Sequence, residues 1–113
     1  MKYLEYKSYT GSIEYSQEDN LLYGKVLGVK GLISYEGETG QLLEADFKEA
    51  IEVYLADCKA IGKSPEKPFK GSFNVRIPAK LHQKAALLAM ETKTSLNNLV
   101  AEAIRSRVTK EGI

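Results

Sequence analysis

A single cysteine, a single histidine, three prolines and no unbroken apolar run longer than six residues mark the scarcities of this 113-residue chain. Cys58 alone cannot close an intramolecular disulfide or supply a multi-thiolate metal site, and a reducing, cytoplasmic setting is expected. The longest apolar run, residues 85–90, is too short for the hydrophobic stretch of a signal peptide or for a membrane span. A protein neither exported nor membrane-embedded is expected. Arginine is missing from the first two thirds and occurs only at Arg76, Arg105 and Arg107.

What is present is ordinary for a folded chain: 43% apolar, 27% charged and 9% aromatic residues. The net charge of +1 hides a division. Residues 1–69 hold eight lysines against twelve carboxylates, a net of −4, while residues 70–113 hold five lysines and three arginines against three glutamates, a net of +5. An acidic module joined to a basic one implies two partners of opposite charge, because each surface potential attracts its complement.

The division falls at Lys63-Ser64-Pro65-Glu66-Lys67-Pro68-Phe69-Lys70, which has two prolines and no apolar periodicity and follows a helix stop at Gly62. It reads as a linker, 63–70, between a module at 1–62 and another at 71–113. In the first module, residues 11–16 alternate, 17–20 read as a turn and 21–27 resume as a strand; residues 32–36 give a third strand. Leu43, Phe47, Ala50, Ile51, Tyr54, Leu55, Cys58 and Ile61 then recur at helical spacing, with Thr39 as N-cap. The expected fold class is α+β, a small antiparallel sheet packed on one long helix. Cys58 lies on that stripe and reads as a packed core residue.

Beyond the linker, Phe73, Val75 and Ile77 alternate with Ser72, Asn74 and Arg76, the period of a strand with one apolar and one polar face. Pro78 ends it. Leu81, Ala85, Leu88 and Ala89 mark one helix; Ser95 caps a second, whose stripe is Leu96, Leu99, Val100, Ala103, Ile104 and Val108. One short strand and two helices cannot satisfy the strand's own amides and carbonyls, so the strand must pair with something. The economical partner is a second copy, giving an antiparallel ribbon about a two-fold axis over a shared four-helix core.

A two-stranded ribbon fits the major groove of B-DNA. Arg76 suits guanine O6 and N7, Asn74 suits adenine N6 and N7, and Ser72 adds a less discriminating contact. The amides around Ser95, Leu96 and Asn97 form a partial positive pole suited to a phosphate, a contact that sets register and not sequence. A solvated strand face with a routine helix cap carries the same residue types.

Gly71-Ser72-Phe73-Asn74-Val75-Arg76-Ile77-Pro78, with Leu81-His82 and the run from Ser95 through Leu96-Asn97-Asn98-Leu99-Val100-Ala101-Glu102 to Ala103, resembles the ribbon-helix-helix tail of HicB-type antitoxins. The strand is also similar to that of the wider Arc/MetJ repressor superfamily. Upstream, Tyr9-Thr10-Gly11-Ser12-Ile13-Glu14-Tyr15, the run Leu22-Tyr23-Gly24-Lys25-Val26-Leu27-Gly28 and Ser34-Tyr35-Glu36-Gly37 resemble the HicB N-terminal module. The resemblance implies a partial RNase H-like N-terminal domain that masks a small basic mRNA-cleaving toxin of the HicA type. It also implies a C-terminal domain that dimerises and represses its own operon by binding operator DNA. Ser72, Asn74 and Arg76 would then face the groove, and Ser95 and Asn97 would lie at the phosphate-binding helix start. Two departures stand out: Thr92-Lys93-Thr94 lacks the glycine common between the helices, and Gly40-Gln41-Leu42 stands where acidic residues are more usual.

The same residues admit two rival classes. An RNase H-like enzyme would need converging carboxylates for a divalent metal, and Asp19, Glu36, Asp46 and Asp57 are the candidates. They read better as solvation and cap charges. His82 lies in the other module from Cys58, so no base and nucleophile pair is visible. The expectation is no catalysis, no cofactor and no metal. The other rival is a stand-alone ribbon-helix-helix repressor whose N-terminal domain binds a ligand or drives oligomerisation; in the antitoxin reading, ribbon dimers or a tetramer built from them through N-terminal contacts both stay open. Tyr3, Tyr6, Tyr9, Tyr15, Tyr23 and Tyr35 suit either a protein-binding face or half-exposed sheet packing.

Overall fold

Short β-forming stretches broken by turn residues precede a long helical period, and the computed structural model, which describes residues 2–113, converts these into an α+β fold. The order is β1 (Leu4–Tyr6), β2 (Tyr9–Gly11), β3 (Glu14–Ser16), β4 (Leu21–Lys25), β5 (Ser34–Gly37), α1 (Gly40–Ala60), α2 (Ala79–Glu91) and α3 (Leu96–Lys110). The chain divides into two units, the first ending at Ser72 and the second spanning Phe73–Ile113.

The first unit holds two antiparallel sheets, β1-β2 and β3-β4-β5. The β1–β2 hairpin has no counterpart in the sequence reading. Its two loop residues, Lys7 and Ser8, both adopt left-handed φ, 49° and 70°, which a two-residue hairpin of the primed type requires. Neither is glycine or asparagine, so the usual local signal is absent. Contacts from α1 help hold the turn: the Tyr6 hydroxyl donates to the Glu52 carboxylate, and Lys7 Nζ lies 2.7 Å from it.

The continuous strand expected over 11–16 is split at Ser12 and Ile13 into β2, which pairs with β1, and β3, which pairs with β4. The Ser12 amide donates to the Lys25 carbonyl at 3.0 Å, and Gly11 bridges to Val26. The Tyr35 hydroxyl donates across this split to the Ser12 carbonyl at 2.7 Å and also lies 3.2 Å from the Lys25 carbonyl. A Cβ at Gly24 would collide with the Ser12 carbonyl, so glycine is what allows this close approach. Burial pushes the Tyr35 hydroxyl up to about 12, although its bond to Ser12 opposes the rise.

Helix α1 follows the expected period. The Thr39 hydroxyl accepts the Leu42 amide at 3.1 Å, and Gly62 takes φ +70° just beyond the Ile61 cap. The cap serves although the first turn carries no acidic residue. Leu43, Phe47, Ile51 and Cys58 form the buried stripe. Phe47 is fully buried and meets Tyr35 edge-on at 5.0 Å; Tyr9, Val26, Leu43 and Ile51 complete the core. Each such apolar side chain contributes about 1.5–3 kcal/mol on burial. Of the six strand-region tyrosines, Tyr9 and Tyr35 belong to this core, Tyr6 packs at its edge, and Tyr3, Tyr15 and Tyr23 are exposed.

The second unit consists of α2 and α3 joined by a tight turn. Lys93 stands there at φ +57°, the left-handed position that glycine occupies without strain. The Thr94 amide donates to the Ala89 carbonyl at 2.9 Å and closes the end of α2.

Candidate nucleic-acid interface

Period-two alternation favours extended backbone over 72–77, and proline favours the start of a helix, so Pro78 joins the two. Pro78 caps α2 with φ −57° and ψ 143°. The segment ahead of it forms no ladder in the single chain, because no strand among the described residues lies beside it. Every residue from 71 to 78 is exposed. Phe73, on the apolar side of the alternation, is 73% exposed, and Val75 and Ile77 are exposed beside it.

The helices behind this segment have the same deficit. Ala89, at 3% exposure, is the only fully buried side chain in the second unit among the described residues. Leu81, Leu87, Leu88, Val100, Ile104 and Val108 remain exposed. Forty-one residues with one buried alanine fall well short of the core that a domain of that size needs for independent stability.

Ser72, Asn74 and Arg76 are exposed and make no side-chain hydrogen bond among the described residues. Ser72 ends the first unit, whereas Asn74 and Arg76 belong to the second. Ser95 caps α3, its hydroxyl accepting the Asn98 amide at 3.0 Å. That bond occupies the hydroxyl's cap geometry and leaves the Leu96 and Asn97 amides, ahead of the first helical hydrogen bond, open to an outside acceptor. Asn97 is exposed. Arg105, Arg107 and Lys110 lie farther along α3, where Arg107 pairs with Glu111 at 3.5 Å.

The four carboxylates weighed as metal ligands have structural partners or none. Asp46 accepts the Glu36 amide at 2.8 Å, and Asp19 exchanges hydrogen bonds with Ser16 inside the β3–β4 turn. Asp19, Glu36 and Asp46 line one open concavity of about 500 Å³, while Asp57 lines another with Asp46. Among the described residues, no three His, Cys, Asp or Glu side chains are gathered for a metal ion. Cys58 is buried in the first unit and His82 is exposed in the second. No helix among the described residues is long and apolar enough to cross a membrane.

Residues 54–104 match the model of the HicB family. The match makes this stretch, a little under half of the chain, similar to HicB-type proteins. It begins in the last turns of α1, runs through 63–78 and α2, and ends within α3, so β1 to β5 lie outside it. No curated protein and no solved structure matches the chain. The HicB family is an antitoxin family and not a known enzyme family, so the likeness over 54–104 suggests a toxin–antitoxin-related role.

Sequence reasoning missed one cluster: Glu66, in the expected linker, meets Tyr9, Tyr54, Lys30 and Gly31. A lone glutamate between two prolines carries no periodic signal. Its partners come from three separate stretches, so only the tertiary fold brings them together.

Proposed function

We propose that this chain is the antitoxin of a two-gene module. It dimerises through residues 72–77, binds operator DNA with the polar side of the joined ribbon, and sequesters a small basic HicA-type toxin with its acidic first unit. The observation that carries the reading is the uncovered apolar set Phe73, Val75, Ile77, Leu81, Leu88, Val100 and Ile104, in register with exposed Asn74 and Arg76, inside the stretch that matches the HicB family. A second copy would cover the apolar set and turn the polar set outward. Arg76 and Asn74 then read bases, Ser72 assists, and the helix start at Ser95 and Asn97 holds phosphate.

The test compares wild type with Arg76→Ala on DNA from upstream of the chain's own reading frame. Removing one bidentate contact costs about 1–3 kcal/mol, roughly 5- to 150-fold in affinity, with neutralisation of the co-expressed neighbouring basic protein retained. Loss of neutralisation with full DNA affinity would reverse the assignment of the two units. Affinity should also fall steeply with salt as lysines and arginines displace counterions, and salt-independent binding would exclude DNA.

The matched range leaves the five strands outside it, which favours one alternative: a stand-alone repressor whose first unit has another task. Intact operator binding together with no effect on any neighbouring toxin would select that reading.

A further inference from the structure

Glu66 is held to the first unit by all of its polar groups. Its backbone amide donates to the Tyr54 hydroxyl at 2.8 Å, and its carbonyl accepts the Tyr9 hydroxyl at 3.2 Å. Its carboxylate oxygens accept the amides of Lys30 at 2.8 Å and Gly31 at 3.1 Å. Two successive main-chain amides converging on one carboxylate form an anion cradle. The Tyr9 and Tyr54 rings pack edge to face, 6.4 Å apart, with both hydroxyls on the main chain of the same residue. These amides hold the Glu66 carboxyl below the usual carboxylate range, assisted by Lys63 and Lys30.

Three residues on, the Phe69 amide approaches the Gly28 carbonyl at 3.4 Å, and the ring lies on Gly28. At Gly28 the backbone has φ +77°, and a Cβ would come within 2.8 Å of the ring, so glycine is needed for both conformation and space. An open cavity of about 300 Å³ is lined by the 28–30 loop and residues 66–72 between these contacts. The grip is incomplete at this end. Phe69 is 65% exposed and sits at φ +49°, a conformation strained for an aromatic residue and kept only while neighbouring contacts impose it. The attachment therefore rests on a few exposed or half-buried bonds at the rim of the core, where Tyr9 and Tyr54 lend only their hydroxyls, and it can open without emptying the core around Phe47. Pro65 and Pro68 flank Glu66 and restrict the free segment, lowering the entropy lost on docking.

We propose that the notch formed by Tyr9, Tyr54, the Lys30 and Gly31 amides and Gly28 is a peptide-binding site. Its resident ligand is the segment 66–69 of the same chain, with the pattern Glu-x-x-Phe, and its docking and release switch the length of the tether ahead of the second unit. With the segment docked, only 70–72 are free between Phe69 and the second unit, a reach of about 10 Å. When it is released, the Lys63 amide bond to the Cys58 carbonyl becomes the last anchor. Residues 64–72 are then free and the reach grows to about 30 Å. This inference stands apart from DNA and toxin binding and is tested without either.

Amide exchange and ¹⁵N relaxation on the full chain provide the test. In wild type, the Lys30 and Gly31 amides are protected, and fast motion is confined to 70–72. In Glu66→Gln, and more strongly in Glu66→Ala combined with Phe69→Ala, those two amides exchange at least tenfold faster and fast motion extends to 64–72. Protection of the α1 amides stays unchanged and reports an intact fold. A synthetic peptide of residues 63–72 added to the double variant restores Lys30 and Gly31 protection, whereas the peptide with alanine in place of Glu66 does not. If the double variant loses α1 protection, the peptide is added to Glu66→Gln instead. Equal exchange in wild type and both variants would overturn the docking. Failure of the intact peptide to restore protection would overturn the site, and unchanged motion over 64–69 would overturn the tether.

Discussion

The two units of this chain solve the problem of a small core in opposite ways. The first gathers residues from four of its five strands and a 21-residue helix around Phe47, Leu43 and Ile51, with Tyr9 and Tyr35 adding buried hydroxyls that find carbonyl acceptors. The second has two helices, of which only α3 has a side-chain N-cap, and their long apolar side chains stay largely in solvent. Hydrophobic stabilisation follows the apolar area removed from water, so the first unit contains its own source of stability and the second must obtain it from outside. The family match takes in residues 73–104 of the unit that lacks a core and omits the strands of the unit that has one.

The largest effect is expected where the self-sufficient unit is emptied. Phe47→Ala should cost about 3–5 kcal/mol and lower the denaturant midpoint of the first unit regardless of protein concentration. A midpoint that moved with concentration would show that the first unit also depends on a second copy. Next is Val75→Ser, which should remove about 1.5–3 kcal/mol per chain from the assembled second unit. Sedimentation should show more monomer, with the first unit's midpoint unchanged. An unaltered association constant would mean that the apolar side of 72–77 stays in water and the contrast is wrong.

Smaller changes refine the picture within the second unit. Ser95→Ala removes the acceptor for the Asn98 amide and should cost about 1 kcal/mol, read as a lower melting temperature of the second unit. Lys93→Gly relieves a left-handed lysine at the inter-helix turn and should stabilise by up to about 1 kcal/mol. The smallest change is acid release of the docked linker. Glu66 has its carboxyl lowered by the Lys30 and Gly31 amides, so its contribution is complete above the ordinary value of 4.5. It is lost as the pH falls below that value through the folded-state pKa. Relative to the intrinsic rate at each pH, the protection of the Lys30 and Gly31 amides should fall only in that acidic window.

Much of the local structure was legible because its causes are local. Thr39, Gly62 and Ser95 act where a cap or stop residue is expected, and the three- and four-residue spacing from Leu43 to Cys58 became the buried stripe. The β1–β2 hairpin was not legible, since Lys7 and Ser8 hold left-handed backbone next to the contacts that Lys7 and Tyr6 make with distant Glu52. The split at Ser12 escaped for a similar reason: the Tyr35 hydroxyl that spans it lies 23 residues away. The linker looked like a spacer because prolines interrupt periodicity, yet Glu66 finds acceptors and donors on β2, α1 and the 30–31 loop.

Composition and spacing alone determined the charge division, the α+β class, the three helices with their caps, and the alternation of Phe73, Val75 and Ile77 with Asn74 and Arg76. Each depends on neighbours within a few residues or on a simple sum over the chain. Tertiary structure alone decided which tyrosines are core, where the strands break, that 63–72 belongs with the first unit, and that the second unit covers almost none of its apolar surface. Burial and long-range hydrogen bonding depend on what folds back from far along the chain, and no local pattern contains that information.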